Sequence, residues 1–585
     1  MSDIKQLVDS WISVDPNESS RNEILGLYKD GKVEELQSRL GKRIRFGTAG
    51  LRSRMEPGFN RMNDVTVLQA SQGLAKYVKA TVPNALERGV VLGHDHRHNS
   101  ARFVELAALA FSIMGFKVYM FGLVHTPMVP FGVDNLGASC GVMVTASHNP
   151  AKDNGYKVYW ENGCQIIPPH DAGIAKSIED NLDIWSWETS RIVLDTEAVQ
   201  SVKKEYFKAV STKLLFAAQA DAPFKCDPSF KCVYTPMHGV GLPAFKEACK
   251  LLGLSDDQVV VVSEQAHPDP DFPTVKFPNP EEKGALDLAM KTADEHGITL
   301  ILSNDPDADR FVAAVKKDGK WTQLTGNQIG SLFADYITAK MDLKSQSVAV
   351  VNSTVSSQLN EHLGNLRGFK CLNTLTGFKW IGNGAIRLEK EGNVVPFGYE
   401  EALGYMFSHV HDKDGIAAAF VFVQMANEWA LDGTNGLQRM DQLYKEAGYY
   451  AECNSYYIVP EPAVTDKVFE RVRSLAKPYP ANIGQFTVNA WRDLTVGYDS
   501  TNPPSFEPIL PITPDDQMIQ VEASTGQAGE GVRFTARGSG TEPKLKVYIE
   551  GRAASHEQAQ KLAQAMWDAL RDEWFQPATF GLTEA

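Results

Sequence analysis

Short apolar runs punctuated by glycine recur along the chain, and most are followed by a stretch of helical periodicity. Residues 90–93 form one such run, residues 100–114 a helical stretch, residues 117–120 a strand, and residues 140–144 (Cys-Gly-Val-Met-Val) a strand with a buried pattern. Strands alternating with helices predict a mostly parallel sheet covered by helices. A second unit of this kind opens at residues 231–235, passes through a helical stretch at 243–252 and an apolar run at 259–262, and reaches a strand at 298–302. A third follows with a helical stretch at 329–339, a strand at 348–351, loops at 374–379 and 398–404, and a long helical tail to about residue 450. The proline-containing segment 459–462 predicts a linker. Beyond it lie a helical stretch at 464–476, hairpin-like strands around 537–543 and an amphipathic stretch at 555–575. The pattern predicts three related α/β domains and a smaller α+β module, with boundaries at 1–215, 216–323, 324–452 and 453–585. Residues 1 to about 40 are charged and helical in pattern, a leader expected to pack on the first domain.

Composition narrows the class without naming a function. At 585 residues the chain is too long for one core, and 43% hydrophobic with 22% charged residues is ordinary for a globular protein. With 58 basic against 72 acidic residues the formal charge is −14, which argues against nucleic acid as a partner and makes any anion site a local cluster of cations. Seven scattered cysteines show neither a disulfide framework nor zinc spacing and predict a reducing, cytoplasmic setting. The N-terminus lacks a basic segment followed by an apolar run, and the most apolar stretch, residues 106–124, is broken by Gly115-Phe-Lys117, so no membrane span is expected.

Two loops carry the chemistry. After the strand at 140–144 comes Thr145-Ala-Ser-His-Asn-Pro150, which hangs the Ser147 hydroxyl on a tight turn. A serine is a weak nucleophile and needs a base, a metal or a preorganised site. His148 can orient or share the proton, and Asn149-Pro150 holds the turn; a capped turn before a helix is the plain alternative. After the strand at 298–302 comes Asn304-Asp-Pro-Asp-Ala-Asp-Arg310, whose Asp305, Asp307 and Asp309 can converge on one hard cation, with Arg310 as a further positive contact. A solvated acidic turn or a structural calcium site is the alternative, although the loop lacks the EF-hand glycine and glutamate. Arg537-Gly-Ser-Gly-Thr541 looks like an anion grip: its glycines let backbone N–H groups approach, Ser539 and Thr541 donate, and Arg537 with Lys544 brings charge. Glu400 and Glu401 can accept hydrogen bonds from sugar hydroxyls, or simply begin a helix. His94-Asp-His-Arg-His98 has three alternating histidines, but no further ligand stands in zinc spacing.

Taken together, these motifs resemble the α-D-phosphohexomutase superfamily, and within it the eukaryotic phosphopentomutase/phosphoglucomutase-2 branch. The resemblance spans about residues 40–552. It implies an α/β fold of three related mixed α/β-sheet domains plus a smaller C-terminal α+β domain around a central cleft. It also implies a phosphoserine at Ser147, whose phosphate is exchanged with the sugar, and Mg2+ held by Asp305, Asp307, Asp309 and the Ser147 phosphate. A sugar bisphosphate primer such as glucose 1,6-bisphosphate then starts the cycle. Arg52 and Lys157 match positions proposed to assist proton transfer, with anion binding as their alternative role. Arg310, Thr376, Gly377, Lys379, Glu400, Glu401, Arg537, Ser539, Gly540, Thr541 and Lys544 fall at substrate-binding positions, and Asp95 and Arg97 support the site. The family's hexose-handling members carry a serine where this chain has Ala402, a departure that fits a smaller pentose or a rearranged hexose pose. The implied activity is interconversion of (deoxy)ribose 1- and 5-phosphates with slower turnover of glucose phosphates, by a monomer or weak dimer. A predominant phosphoglucomutase, a glucose-1,6-bisphosphate synthase and a catalytically silent sugar-phosphate-binding protein are the rivals.

Overall fold

The computed structural model describes residues 2–216, 224, 226–539 and 543–584. The chain forms two compact units, one of residues 1–352 and 377–436, the other of residues 353–376 and 437–585.

The first unit is built on three sets of strands. The first is a five-stranded sheet in the order Leu51–Arg54, Asp153–Trp160, Cys140–Val144, Val90–His94, Val118–Leu123. Helices Asp64–Thr81 and Ser100–Ile113 contribute to its main core with Leu68, Leu74, Val104 and Ala107, all fully buried, and Cys140–Val144 is buried at every residue. The second sheet runs Lys320–Gln323, Phe311–Lys317, Leu300–Asn304, Cys232–Thr235, Val259–Val261. In the third set, Val348–Ser353 pairs in parallel with Val394–Glu400, which pairs antiparallel with Gly404–Phe407.

These sheets are mixed where the alternation of elements predicts mostly parallel ones. The reason is loop length: 145–152, 305–310 and 401–403 are too short for a crossover, so each joins antiparallel neighbours. Each of the three turns that carries candidate chemistry therefore sits at the carboxyl end of a central strand whose other neighbour is parallel. The leader forms helices Ser2–Val14, Glu18–Lys29 and Val33–Leu40. Trp11, Ile24 and Leu36 bury themselves against Val65 of the first domain's helix, so the leader packs where the sequence places it.

The second unit contains an antiparallel sheet in the order Asn482–Ile483, Phe486–Asp493, Met518–Ser524, Gly531–Gly538, Lys544–Ala553, Ser455–Ile458, Thr583–Glu584. Helices Pro462–Ser474 and His556–Ala569 share one core with this sheet. Two expectations change here. The long helical tail breaks at Gly433, which takes a φ of 66°, into helices Gly415–Leu431 and Gly436–Ala447, and then becomes strand Tyr449–Glu452. Residues 459–462 are a tight strand-to-helix connection inside this unit, not a linker, because Pro462 opens a helix at the position where its missing N–H is harmless.

Candidate active site

Ser147 is held in a left-handed backbone conformation, φ 53°, which costs a non-glycine residue about 1–2 kcal/mol. The surroundings enforce it. Thr145 Oγ1 accepts the Ser147 N–H at 2.9 Å. The Arg97 guanidinium donates to four carbonyls of the loop, those of Ser147 (2.7 Å), Asn149 (2.6 Å), Pro150 (2.9 Å) and Asp153 (3.2 Å). Arg97 is paired with buried Asp95 at 3.3 Å, and Asp95 accepts from Ser100 Oγ at 2.6 Å. Asp95 and Arg97 thus build the serine loop from below. Gly155 completes the fit, since a Cβ there would lie 2.5 Å from the Thr145 carbonyl oxygen.

Asp305, Asp307 and Asp309 are all fully buried, which excludes a solvated acidic turn. One carboxylate oxygen from each lies within 4.8 Å of the others. The Ser147 hydroxyl donates to Asp305 Oδ2 at 2.9 Å and has His148 Nδ1 at 3.4 Å. Asp305 Oδ1 accepts the Arg310 N–H at 2.9 Å. Asp307 Oδ2 accepts from Thr126 Oγ1 (2.6 Å) and Lys157 Nζ (2.8 Å), and Asp309 Oδ2 from Lys157 (2.7 Å) and Lys413 (3.0 Å). Asp307 Oδ1 and Asp309 Oδ1 are buried with no hydrogen-bond partner among the described residues. Orphaned oxygens on buried carboxylates are costly, and hard oxygens converging in this way suit a divalent cation such as magnesium.

Three acids so close cannot all ionise easily. Burial and the adjacent Asp307 and Asp309 push the Asp305 carboxyl well above its ordinary range. Burial acts on Asp307 in the same sense, but the Lys157 ammonium overrides it and holds Asp307 well below. Burial, with the Arg310 and Arg52 cations nearby, lowers the His148 imidazole far under its usual value, so it stands neutral beside the serine. The aspartate loop also depends on a close approach: a Cβ on Gly415 would meet the Arg310 carbonyl oxygen at 2.2 Å.

The remaining predicted residues fall into two groups. In the first unit, Glu400 Oε1 accepts the Gly377 N–H at 2.9 Å, and Lys379 Nζ donates to Thr48 Oγ1 at 2.5 Å. Arg52 is exposed and reaches Asn149 Oδ1 at 3.2 Å. Glu401 and Ala402 lie half-buried in the turn between Val394–Glu400 and Gly404–Phe407. In the second unit, Arg537 donates to Thr376 Oγ1 at 3.1 Å, Lys544 lies 4.5 Å from the Tyr456 ring centroid, and the Ser539 N–H reaches the Lys544 carbonyl at 2.9 Å. Gly540 and Thr541 lie outside the described residues. The histidines of His94-Asp-His-Arg-His98 diverge: His94 contacts the Asp95 carbonyl, His98 pairs with Asp271, and His96 packs on Phe272. Three contacts escape sequence reasoning: Thr126, Lys413 and Thr48. Lys413 stands one residue before Asp414, which caps helix Gly415–Leu431, a cue visible in the sequence only once the helix start is known.

Four segments match the phosphoglucomutase/phosphomannomutase domains: α/β/α domain I over residues 43–184, domain II over 204–319, domain III over 325–447, and the C-terminal domain over 506–569. The chain is 48% identical to the phosphoribomutase of Saccharomyces cerevisiae, covering 98% of this chain and 97% of the relative. It is 36% identical to the glucose 1,6-bisphosphate synthase of Homo sapiens, covering 98% and 95% respectively. Among solved structures, a phosphoglucomutase/phosphomannomutase family protein of Burkholderia thailandensis has the same fold at a TM-score of 0.64 and 17% identity, over 91% of this chain and 98% of that one.

Proposed function

The chain belongs to the phosphoglucomutase/phosphomannomutase family, and from that premise we propose that it is a phosphopentomutase, interconverting (deoxy)ribose 1-phosphate and 5-phosphate through phosphorylated Ser147. The observation that carries the reading is the buried Ser147 hydroxyl, 2.9 Å from one of three convergent aspartates that leave two oxygens unsatisfied. Asp305, Asp307 and Asp309 would hold a magnesium ion, which when bound would supply charge neutralisation at the phosphoryl group.

Every other part of the reaction falls to the chain's own residues. Phosphoserine 147 gives its phosphoryl group to the free hydroxyl of a sugar monophosphate. The bond from phosphorus to Ser147 Oγ breaks, a bond to the sugar oxygen forms, and the sugar hydroxyl's proton replaces the phosphoryl group on Ser147 Oγ. Neutral His148, 3.4 Å from Ser147 Oγ, is placed to exchange that proton. The bisphosphate so formed returns its other phosphate to the serine. Arg310 and Arg52 stabilise the transferring anion, while Glu400, Glu401 and Lys379 hold sugar hydroxyls. Arg537, which reaches Thr376, grips with Ser539 and Lys544 the phosphate that is not reacting, and Gly540 and Thr541 share that role by their position in the sequence motif. A sugar bisphosphate such as glucose 1,6-bisphosphate primes the unphosphorylated serine. Seven cysteines, none in a disulfide, support a reducing, cytoplasmic setting, and among the described residues no helix is long and apolar enough to cross a membrane.

Pentose over hexose rests on the 48% identity to a phosphoribomutase and on Ala402, which offers no hydroxyl to the sugar. The 36% identity to a glucose 1,6-bisphosphate synthase supports the second reading. Measuring kcat/KM for ribose 1-phosphate and glucose 1-phosphate side by side, with Mg2+ and primer, separates them. The expected result is a preference for the pentose. A preference for glucose overturns the assignment but keeps the phosphoserine scheme; no isomerisation of either sugar moves the synthase reading to the front.

A further inference from the structure

A cavity of about 720 Å3 opens in the first unit between helices Thr196–Lys213 and Gly241–Leu251, with residues 123–128 as its floor. Its size is within the range of about 300–1,000 Å3 usual for small-molecule sites. The walls are apolar, formed by Val124, Met128, Phe207, Ala244 and Leu251. One side is cationic, because Lys203, Lys204 and Lys208 all line it. Lys203 Nζ is tethered to the Phe121 carbonyl at 3.2 Å, Lys208 pairs loosely with exposed Glu205 at 3.1 Å, and Lys204 makes no ion pair among the described residues. The single acid of the lining among the described residues, Glu247, is occupied by Lys250 at 3.3 Å. An apolar chamber with a surplus of positive charge on one side selects an amphipathic anion over a sugar or a cation.

His125 lines the cavity, is only 5% exposed, and keeps Nε2 without a hydrogen-bond partner among the described residues. Its ring packs edge-on against Tyr206 at 5.0 Å. The buried ring nitrogen is a cost the fold carries; it is closed off from the chamber, so His125 shapes the floor by packing and does not meet the head group.

The next residue connects this floor to the chemistry. The Thr126 hydroxyl donates to Asp307 Oδ2 at 2.6 Å and its N–H to the Asp307 carbonyl at 2.9 Å. Val124, His125 and Met128 face the cavity lining while Thr126, between them, holds the aspartate loop.

We propose that this cavity binds an amphipathic monoanion, an apolar body bearing one carboxylate or sulfonate, and that occupancy is transmitted through the His125–Thr126 turn to the divalent-cation affinity of the Asp307 loop. The second half rests on the metal reading given above; the binding itself does not.

The test uses the full-length protein and two probes, the fluorescent sulfonate 8-anilinonaphthalene-1-sulfonate and octanoate. The dye should bind saturably at one site per chain and be displaced by octanoate. Ala244→Trp, which fills the chamber, should abolish binding. The double variant Lys204→Glu/Lys208→Glu should weaken it by roughly tenfold. Dye binding unchanged by both variants overturns the site. If Ala244→Trp fails to fold by its thermal transition, the charge-reversal variant, altered only at exposed positions, decides alone. For the coupling, calorimetric titration of Mg2+ with and without saturating octanoate should differ by threefold or more in Kd. Equal constants overturn the coupling. No Mg2+ binding in either titration overturns the metal reading and the coupling with it, and leaves the dye result to stand or fall by itself.

Discussion

At the scale of single residues, the site is held by contacts that the linear motif only partly announces. Ser147 and the three aspartates are legible because each set is local: a hydroxyl on a turn after a buried strand, and acids at alternate positions after another. Thr126 and Lys413 are not, because each reaches the aspartates from a distant part of the chain, and nothing in their immediate sequence marks them. Their roles are separable by experiment. On the proposed mechanism Ser147→Ala removes the phosphoryl carrier, so turnover should fall by roughly a thousandfold or more while binding of a sugar phosphate persists. Full retention of turnover in that variant would remove Ser147 from the reaction. Thr126→Val keeps the backbone donor to Asp307 but deletes the hydroxyl, and contacts to ligating groups of this kind are worth about tenfold or more in metal affinity. The half-saturating Mg2+ concentration should rise accordingly in Thr126→Val, with kcat at saturating Mg2+ largely kept.

At the scale of elements, periodicity predicts existence better than extent. The run at 140–144 coincides with strand Cys140–Val144, since nothing but burial on both faces explains five apolar positions in a row. The helical tail past residue 415 misleads because Gly433 ends one helix and the chain re-enters another three residues on, a break that only a positive φ reveals. Buried charge is likewise invisible to periodicity. Glu550 lies in strand Lys544–Ala553 and accepts the Gln358 N–H at 2.9 Å, while its Oε1 is buried without a partner among the described residues. Burial pushes its carboxyl up to about 7, against the pull of Arg533. A raised carboxyl favours the protonated folded state, so this group's stabilisation is complete below about 4.5, its ordinary value, and is lost as pH rises through about 7. Glu550→Gln keeps the acceptor and removes the titration. Its thermal transition should match the wild type near pH 5 and exceed it at pH 8, by an amount equivalent to about 1–3 kcal/mol. A constant difference across that range would mean that Glu550 is already ionised at pH 5.

At the scale of the whole first unit, the fold has to keep distant turns in register, and the sequence says least about how. Domain I reaches domain III through an ion-pair cluster that no motif suggests. His411, in the loop before helix Gly415–Leu431, has Glu389 Oε2 at 3.0 Å from Nε2 and Asp134 Oδ2 at 3.7 Å from Nδ1. Burial works against a charged imidazole there, but the two carboxylates prevail and raise it to about 9. Two residues later Lys413 pairs with Asp309, so the clasp and a contact of the aspartate loop share one segment. A histidine raised on folding contributes stability that is fully present below about 6.5 and is lost as pH climbs through about 9. Partial exposure of the ring trims the effect to about 1–2 kcal/mol. His411→Gln should therefore lower the thermal transition at pH 6 to 7 and converge on the wild type by pH 10. Because the clasp holds the segment that carries Lys413, the same variant should also loosen the aspartate loop and weaken Mg2+ binding at pH 7 more than at pH 10. A stability deficit that persists unchanged to pH 10 would show that the cluster acts through packing, and the link between the clasp and the aspartate loop would then have to run through the backbone of residues 411–413 alone.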